Sequence, residues 1–192
     1  MLTNNEVLAR FAMRFRSHNM IKDMDQMLGN DDSGAPWYYE MHELGYNYRL
    51  SDINCALALN QLDRLETNNQ RRNELALAYQ DYLENVDHLD LPYIPNRQEG
   101  RHSWHLYAPR FNFKALGKTR QQVMKELAGH GVGTQVHYIP LYKQPYHAGA
   151  FAKNWFSGAE RHYAQTLSLP MYFGLKRVDI EQISNILKAI LH

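Results

Sequence analysis

The stretch Leu44-Gly45-Tyr46-Asn47-Tyr48-Arg49-Leu50-Ser51-Asp52 sets a carboxamide and a guanidinium two residues apart, with an aromatic ring beside each. A long helical pattern starts at Ser51 or Asp52. An arginine fork and an amide next to a helix N-terminus form an anion-recognition corner. The guanidinium stays charged and meets oxygens bidentately, and the first-turn N–H groups add partial positive charge. The same residues also fit a solvated loop that ends in an ordinary N-cap, where Ser and Asp are favoured for their side-chain oxygens.

A second group is His137-Tyr138-Ile139-Pro140-Leu141-Tyr142. A strand ending in these residues puts an imidazole and two phenols on a loop that Pro140 stiffens. Tyr138 and Tyr142 serve equally well as packing residues with one wet edge. The chain has ten histidines, among them His102, His105, His130, His147 and His162, which raises the question of a metal. No pair has helical i,i+4 spacing with a supporting glutamate, and the one cysteine, Cys55, makes no cysteine ligand set with them, so no metal site is expected. His102 and His105 flank a strand-like segment and would point to opposite faces of it.

These groups need elements to hold them. Asn4 or Asn5 caps a first helix carrying Val7, Leu8, Phe11, Ala12 and Phe15, with basic residues on its outer face. Residues 29–36 read as a loop, and Trp37–Met41 as a short strand. From Ser51 to about Asn85 one helical pattern runs without Gly or Pro, with Ile53, Leu57, Leu62, Leu65, Leu75, Ala78, Tyr79 and Tyr82 as its apolar stripe. Polar residues dominate Glu66–Asn73, which places a domain boundary near residue 68, and Arg71-Arg72 reads as a solvated face. Beyond it, Ser103–Phe113 and Val132–Tyr138 read as strands. A helix capped by Thr119 turns Val123, Met124 and Leu127 inward and stops at Gly129 and Gly131. Val178–Leu191 closes the chain as a helix with Ile180, Ile183, Ile186, Leu187 and Ile190 inward. The second half is thus a small two-layer α/β unit.

Composition narrows the classes. At 192 residues the chain can bury one or two small cores. Its 44% hydrophobic and 21% charged residues are those of a soluble globular protein. A formal net charge of +1 gives no reason to expect nucleic acid or an anionic membrane as partner. The single cysteine, Cys55, excludes an internal disulfide framework and suits a reducing cytoplasmic setting; beside Ala56 and Leu57 it reads as a packed core thiol. No apolar run spans a bilayer and no signal-peptide core is visible.

The motif Asn47-Tyr48-Arg49-Leu50-Ser51-Asp52, followed by Ala56-Leu57, Gln61-Leu62, Leu65, Arg71-Arg72 and Tyr79, resembles the DegT/StrS family of PLP-dependent sugar aminotransferases. Gly131-Val132-Gly133-Thr134-Gln135-Val136-His137-Tyr138 through Tyr142 resembles that family's C-terminal signature. His102–Tyr107 and Leu167-Ser168-Leu169-Pro170 add the detail of the PseC-type enzymes, which act on a UDP-linked 4-keto sugar in pseudaminic acid biosynthesis. The resemblance runs from about Leu2 to Ile190.

It implies an α/β fold: the C-terminal part of an aspartate-aminotransferase-like (fold type I PLP) architecture, residues 1–68 from the large domain and 69–192 the small domain, joined by a long helix. It implies that Asn47 reaches the pyridoxal 5'-phosphate of a neighbouring subunit in a homodimer. Arg49 would pair with phosphate or with the nucleotide-sugar's diphosphate. His137 and Tyr138 would offer hydrogen bonds to the nucleotide-sugar, and Tyr142 a flat surface. The family's Schiff-base lysine lies upstream, before a Gly-rich segment. None of Lys22, Lys114, Lys118, Lys125, Lys143, Lys153, Lys176 and Lys188 has that context, so the chain resembles the C-terminal half alone and is expected to be inactive unless an N-terminal half complements it. A non-catalytic relic or dimerisation module, and a PLP-dependent sugar dehydratase with histidine at the lysine position, are the alternatives.

Overall fold

The computed structural model describes residues 2–29, 35–94, 102–147 and 155–191; most of the loop expected over 29–36 lies outside them. The chain divides into two compact units, Met1–Asp63 and Arg64–His192.

In the first unit, helix α1 (Glu6–Phe15) starts as its sequence demands: Asn5 Oδ1 accepts from the amides of Val7 and Leu8 at 3.0 and 3.1 Å. After Arg16 the chain turns through His18 and Asn19, both left-handed at φ 59° and 54°. Strand β1 (Met20–Ile21) then pairs antiparallel with β2 (Glu40–Met41), Met20 opposite Met41. The strand expected over Trp37–Met41 thus forms only at its end. Residues 15–18 also pair with 46–48: Tyr46 N–H donates to Phe15 O at 2.8 Å, His18 N–H to Tyr46 O at 2.9 Å, and Tyr48 N–H to Arg16 O at 2.8 Å. The backbones come so close that a Cβ on Gly45 would lie 2.6 Å from the His18 carbonyl carbon and nearer still to the Asn19 nitrogen.

Helix α2 (Asp52–Asp63) follows, with Ser51 Oγ accepting from Asn54 N–H at 3.3 Å. None of its side chains is buried. Ile53, Leu57 and Leu62 are exposed, and Cys55, expected to be a packed core thiol, is an exposed one. Helical spacing of apolar residues forms the helix but does not by itself supply a surface to bury them, and among the described residues no element of the Met1–Asp63 unit covers this one. The single helix expected from Ser51 to Asn85 is interrupted at Arg64, which sits at φ −97°, ψ −2° between α2 and α3 (Leu65–Leu83).

The second unit holds the core. From α3, Leu75, Ala78, Tyr79 and Leu83 meet Ile180, Ile183 and Leu187 of α6 (Arg177–Leu191) and Val123 and Leu127 of α4 (Arg120–Gly129). Helix α4 begins at a capping box, Thr119 Oγ1 accepting from Gln122 N–H while Gln122 Oε1 accepts from Thr119 N–H. Gly131, at φ 77°, turns the chain just past its end.

Beneath the helices lies an irregular antiparallel layer. Strand β3 (Leu89–Asp90) pairs with β4 (Arg110–Phe111). Single bridges then link Tyr107 to Leu169, Arg110 to Thr166, and Gln135 to Ser168. The strand expected over Ser103–Phe113 therefore forms only as β4 with single bridges at Tyr107 and Arg110, and that expected over Val132–Tyr138 contributes the Gln135 bridge. Pro109 supplies a carbonyl, accepting from Leu167 N–H at 3.2 Å, but no amide to extend the ladder, and Pro170 ends it on the other side. The fully buried rings of Tyr79 and Tyr107 stack at 4.6 Å across helix and layer, and Tyr79 Oη donates to Pro170 O at 2.9 Å.

Arg71 and Arg72 do not form the solvated face expected of them. Both are half-buried. Arg71 Nη2 donates to Leu175 O at 2.6 Å, and Arg72 Nη1 to Trp104 O at 2.8 Å, with His105 O and Met171 O at 3.4 and 3.5 Å. Loop carbonyls without ladder partners need donors, and a guanidinium fork can serve several at once.

Candidate functional site

The Tyr-Asn-Tyr-Arg run is extended, so its side chains alternate between two sides. Tyr46 and Tyr48 lie on one, their rings stacked at 4.8 Å and 6°. Phe15 meets Tyr46 edge-on at 5.1 Å and stacks on Phe11 at 5.3 Å, so an aromatic ladder ties the run to α1. Asn47 and Arg49 share the other side, where Arg49 Nε donates to Asn47 Oδ1 at 3.1 Å. Both are exposed. The Arg49 Nη groups and Asn47 Nδ2 form no hydrogen bond among the described residues. Immediately beyond them, Ser51 caps α2.

Elsewhere in the first unit, Glu40 of β2 gathers several donors. Its carboxylate accepts from His42 Nε2 at 2.6 Å, Leu28 N–H at 2.7 Å, Gly29 N–H at 2.6 Å and Tyr38 Oη at 2.9 Å. The His42 bond first, then the Leu28 amide, hold its pKa down at about 2 against the ordinary 4.5. Sequence reading missed this residue; nothing in the spacing of Trp37–Met41 reveals that four donors converge on it.

In the second unit, the half-buried His137 ring lies 2.9 Å from Ser168 Oγ through Nδ1, and meets Tyr138 edge-on at 4.8 Å. Tyr138 is 71% exposed. His137 and Ser168 line an open groove of about 280 Å3 with His105, Gly133, Thr134 and Gln135. Tyr142 follows in a short 3-10 turn, Leu141–Lys143. One face of its ring stacks on Phe156 at 4.5 Å, just before α5 (Ser157–Gln165). Lys143 Nζ pairs with Glu160 of that helix at 2.6 Å and lies over the Tyr163 ring. Burial first, then the Glu160 carboxylate, push the Tyr142 phenol up. Helix α5 was not legible either, its nine residues lacking both an apolar stripe and a side-chain cap.

The structure thus brings Asn47 together with Arg49, and His137 with Tyr138 and Ser168, while Tyr142 is anchored toward α5. Ser168 was read only as part of a motif; a lone hydroxyl between Leu167 and Leu169 was the signal available. Among the described residues no three His, Cys, Asp or Glu side chains converge on a metal-sized site, and no helix is long and apolar enough to cross a membrane.

Residues 1–188 match the DegT/DnrJ/EryC1/StrS aminotransferase family, and the chain belongs to it. Among its relatives, the spore coat polysaccharide biosynthesis protein SpsC of Bacillus subtilis is 32% identical over 98% of this chain and 48% of its own length. The UDP-4-amino-4,6-dideoxy-N-acetyl-beta-L-altrosamine transaminase of Campylobacter jejuni is 30% identical over 99% of this chain and 47% of its own. In structure the chain is similar to Helicobacter pylori PseC, an aminotransferase involved in pseudoaminic acid biosynthesis, with a TM-score of 0.80 and 26% identity over 98% of this chain and 47% of that one. The fold is accordingly part of the fold type I PLP architecture, and the chain spans about half the length of the curated relatives it matches.

Proposed function

We propose that these residues form part of a pyridoxal-phosphate-dependent aminotransferase that moves an amino group, with glutamate as donor, to the 4-keto carbon of a UDP-linked sugar for cell-surface polysaccharide biosynthesis of the pseudaminic acid type. Residues 1–68 belong to the large, cofactor-bearing domain and 69–192 to the small one. The enzyme works in the cytoplasm as a homodimer, or with an N-terminal half supplied by another chain. The family match and the names of the relatives support this reading.

The observation that carries it is the Asn47–Arg49 pair, on a run tied to α1 by the aromatic ladder, with its remaining donors unbonded among the described residues. Those donors fit a phosphate: a planar charged fork and an amide N–H2 next to a capped helix. Asn47 would hold the phosphate of pyridoxal 5'-phosphate, and Arg49 that phosphate or the substrate's diphosphate. When bound, the cofactor supplies the electron sink that makes amino transfer possible. His137 and Tyr138 would hydrogen-bond the nucleotide-sugar, and Tyr142, with one face against Phe156, would keep the other toward it.

By the family resemblance the lysine that holds the cofactor lies in the other half of the relatives' length, so these 192 residues by themselves do not turn over. Incubation of the purified chain with pyridoxal 5'-phosphate, glutamate and a UDP-4-keto sugar tests this. No amino sugar is expected, whereas many turnovers per chain would overturn it.

A further inference from the structure

Ser168 belongs to neither of the residue pairs proposed above to touch cofactor or sugar, yet its surroundings constrain what His137 can do. It is 4% exposed. Its backbone is fixed from both sides by one partner: Ser168 N–H donates to Gln135 O at 2.8 Å and Gln135 N–H to Ser168 O at 3.3 Å. That bridge fixes Ser168 against the segment that leads into His137 and brings its Oγ within 2.9 Å of Nδ1.

The direction of this hydrogen bond follows from counting donors. Among the described residues, Ser168 Oγ has no partner besides His137 Nδ1. If Nδ1–H donated to Oγ, the hydroxyl proton of a serine only 4% exposed would have no acceptor among the described residues, which is the costly outcome. If the hydroxyl donates to Nδ1, its proton is satisfied, and the neutral ring must carry its own proton on Nε2. Nε2 has no partner among the described residues, and the ring lines the 280 Å3 groove.

We propose that Ser168 is the positioning residue for His137: its hydroxyl donates to Nδ1, fixes the Nε2–H tautomer, and makes His137 a hydrogen-bond donor to an oxygen-rich ligand in the groove instead of a proton acceptor. The ligand class, a nucleotide-sugar, rests on the function proposed above; the tautomer does not.

Long-range 1H–15N correlation spectra of the 15N-histidine-labelled 192-residue chain, at a pH where the ring is neutral, test the tautomer, with His137→Gln providing the assignment. The expected result is a protonated Nε2 and an Nδ1 whose shift marks it as accepting a hydrogen bond. Ser168→Ala should move that Nδ1 signal to the position of a free acceptor, and Ser168→Thr should restore it. A proton on Nδ1, or an Nδ1 signal indifferent to Ser168→Ala, would overturn the inference, including in a chain whose backbone pairing at Gln135 is intact. Titration with UDP separates the two layers. If the groove takes the nucleotide, Ser168→Ala should weaken binding about three- to tenfold with recovery in Ser168→Thr. Unchanged UDP affinity in both His137→Gln and Ser168→Ala, with the expected tautomer present, would overturn the nucleotide-sugar assignment of this groove and support the positioning role alone.

Discussion

Arg49 Nε donates to Asn47 Oδ1 at 3.1 Å while the rings of Tyr46 and Tyr48 stack behind them. The bond uses Nε and leaves the two-nitrogen fork without a hydrogen bond among the described residues. Lysine at this position keeps the charge but loses both the fork and the tie to Asn47. Arg49→Lys is therefore expected to lower the chain's affinity for inorganic diphosphate by roughly tenfold, about 1.4 kcal/mol, by calorimetry at low salt. Equal affinity in variant and parent would remove Arg49 from the anion site.

The aromatic ladder works only if the run at 46–48 lies tight against residues 15–18. Gly45 permits that approach, since a Cβ there would strike the backbone of His18 and Asn19. Backbone atoms cannot yield as the tip of a side chain can. Gly45→Ala should destabilise the first unit by about 2–3 kcal/mol and weaken diphosphate binding along with it. Native-state hydrogen exchange of the His18, Tyr46 and Tyr48 amides reads the first effect; unchanged protection would mean that the pairing is looser than described.

Arg72 serves the carbonyls of Trp104, His105 and Met171 from one nitrogen. Its removal leaves the part-buried Trp104 carbonyl without its 2.8 Å donor, a loss of about 1.5–3 kcal/mol for a charged donor. Arg72→Met, which keeps the apolar stem, should lower the stability of the Arg64–His192 unit by that amount in denaturant titrations. A change within about 0.5 kcal/mol, the usual range for surface substitutions, would return Arg72 to the solvated face.

Glu40 gives the chain an acid sensitivity of known sign. Its folded pKa of about 2 lies below the ordinary 4.5, because the carboxylate accepts from His42, Leu28, Gly29 and Tyr38. The stabilisation is complete above pH 4.5 and is lost as pH falls from there toward 2. Glu40→Gln should flatten this part of the pH profile of thermal unfolding. A parent and variant with parallel profiles between those limits would show that the cluster does not hold in solution.

Helices α1, α4 and α6 were legible because each carries its own start signal or stripe: Asn5, the Thr119–Gln122 box, and Ile180, Ile183, Leu187 and Ile190. Ser51 as the start of α2 was legible for the same reason. What failed to read were features fixed by distant partners. Cys55 and the stripe of α2 looked like core because periodicity reports a helix face, not what covers it. Arg71 and Arg72 looked solvated because nothing local reveals carbonyls about 30 to 100 residues away. The pairing within Asn47-Tyr48-Arg49 follows from period-two alternation, whereas the bond between His137 and Ser168 depends on a bridge that spans 33 residues of sequence.

The most direct measurement is a pyridoxal 5'-phosphate titration of the purified chain, followed by borohydride reduction and peptide mapping. The account holds that these residues supply phosphate and substrate contacts and not the cofactor's lysine. It expects no stoichiometric pyridoxyl adduct on any one lysine. A single lysine of this chain labelled to completion, with the matching absorbance band before reduction, would contradict it and place the chemistry within these 192 residues.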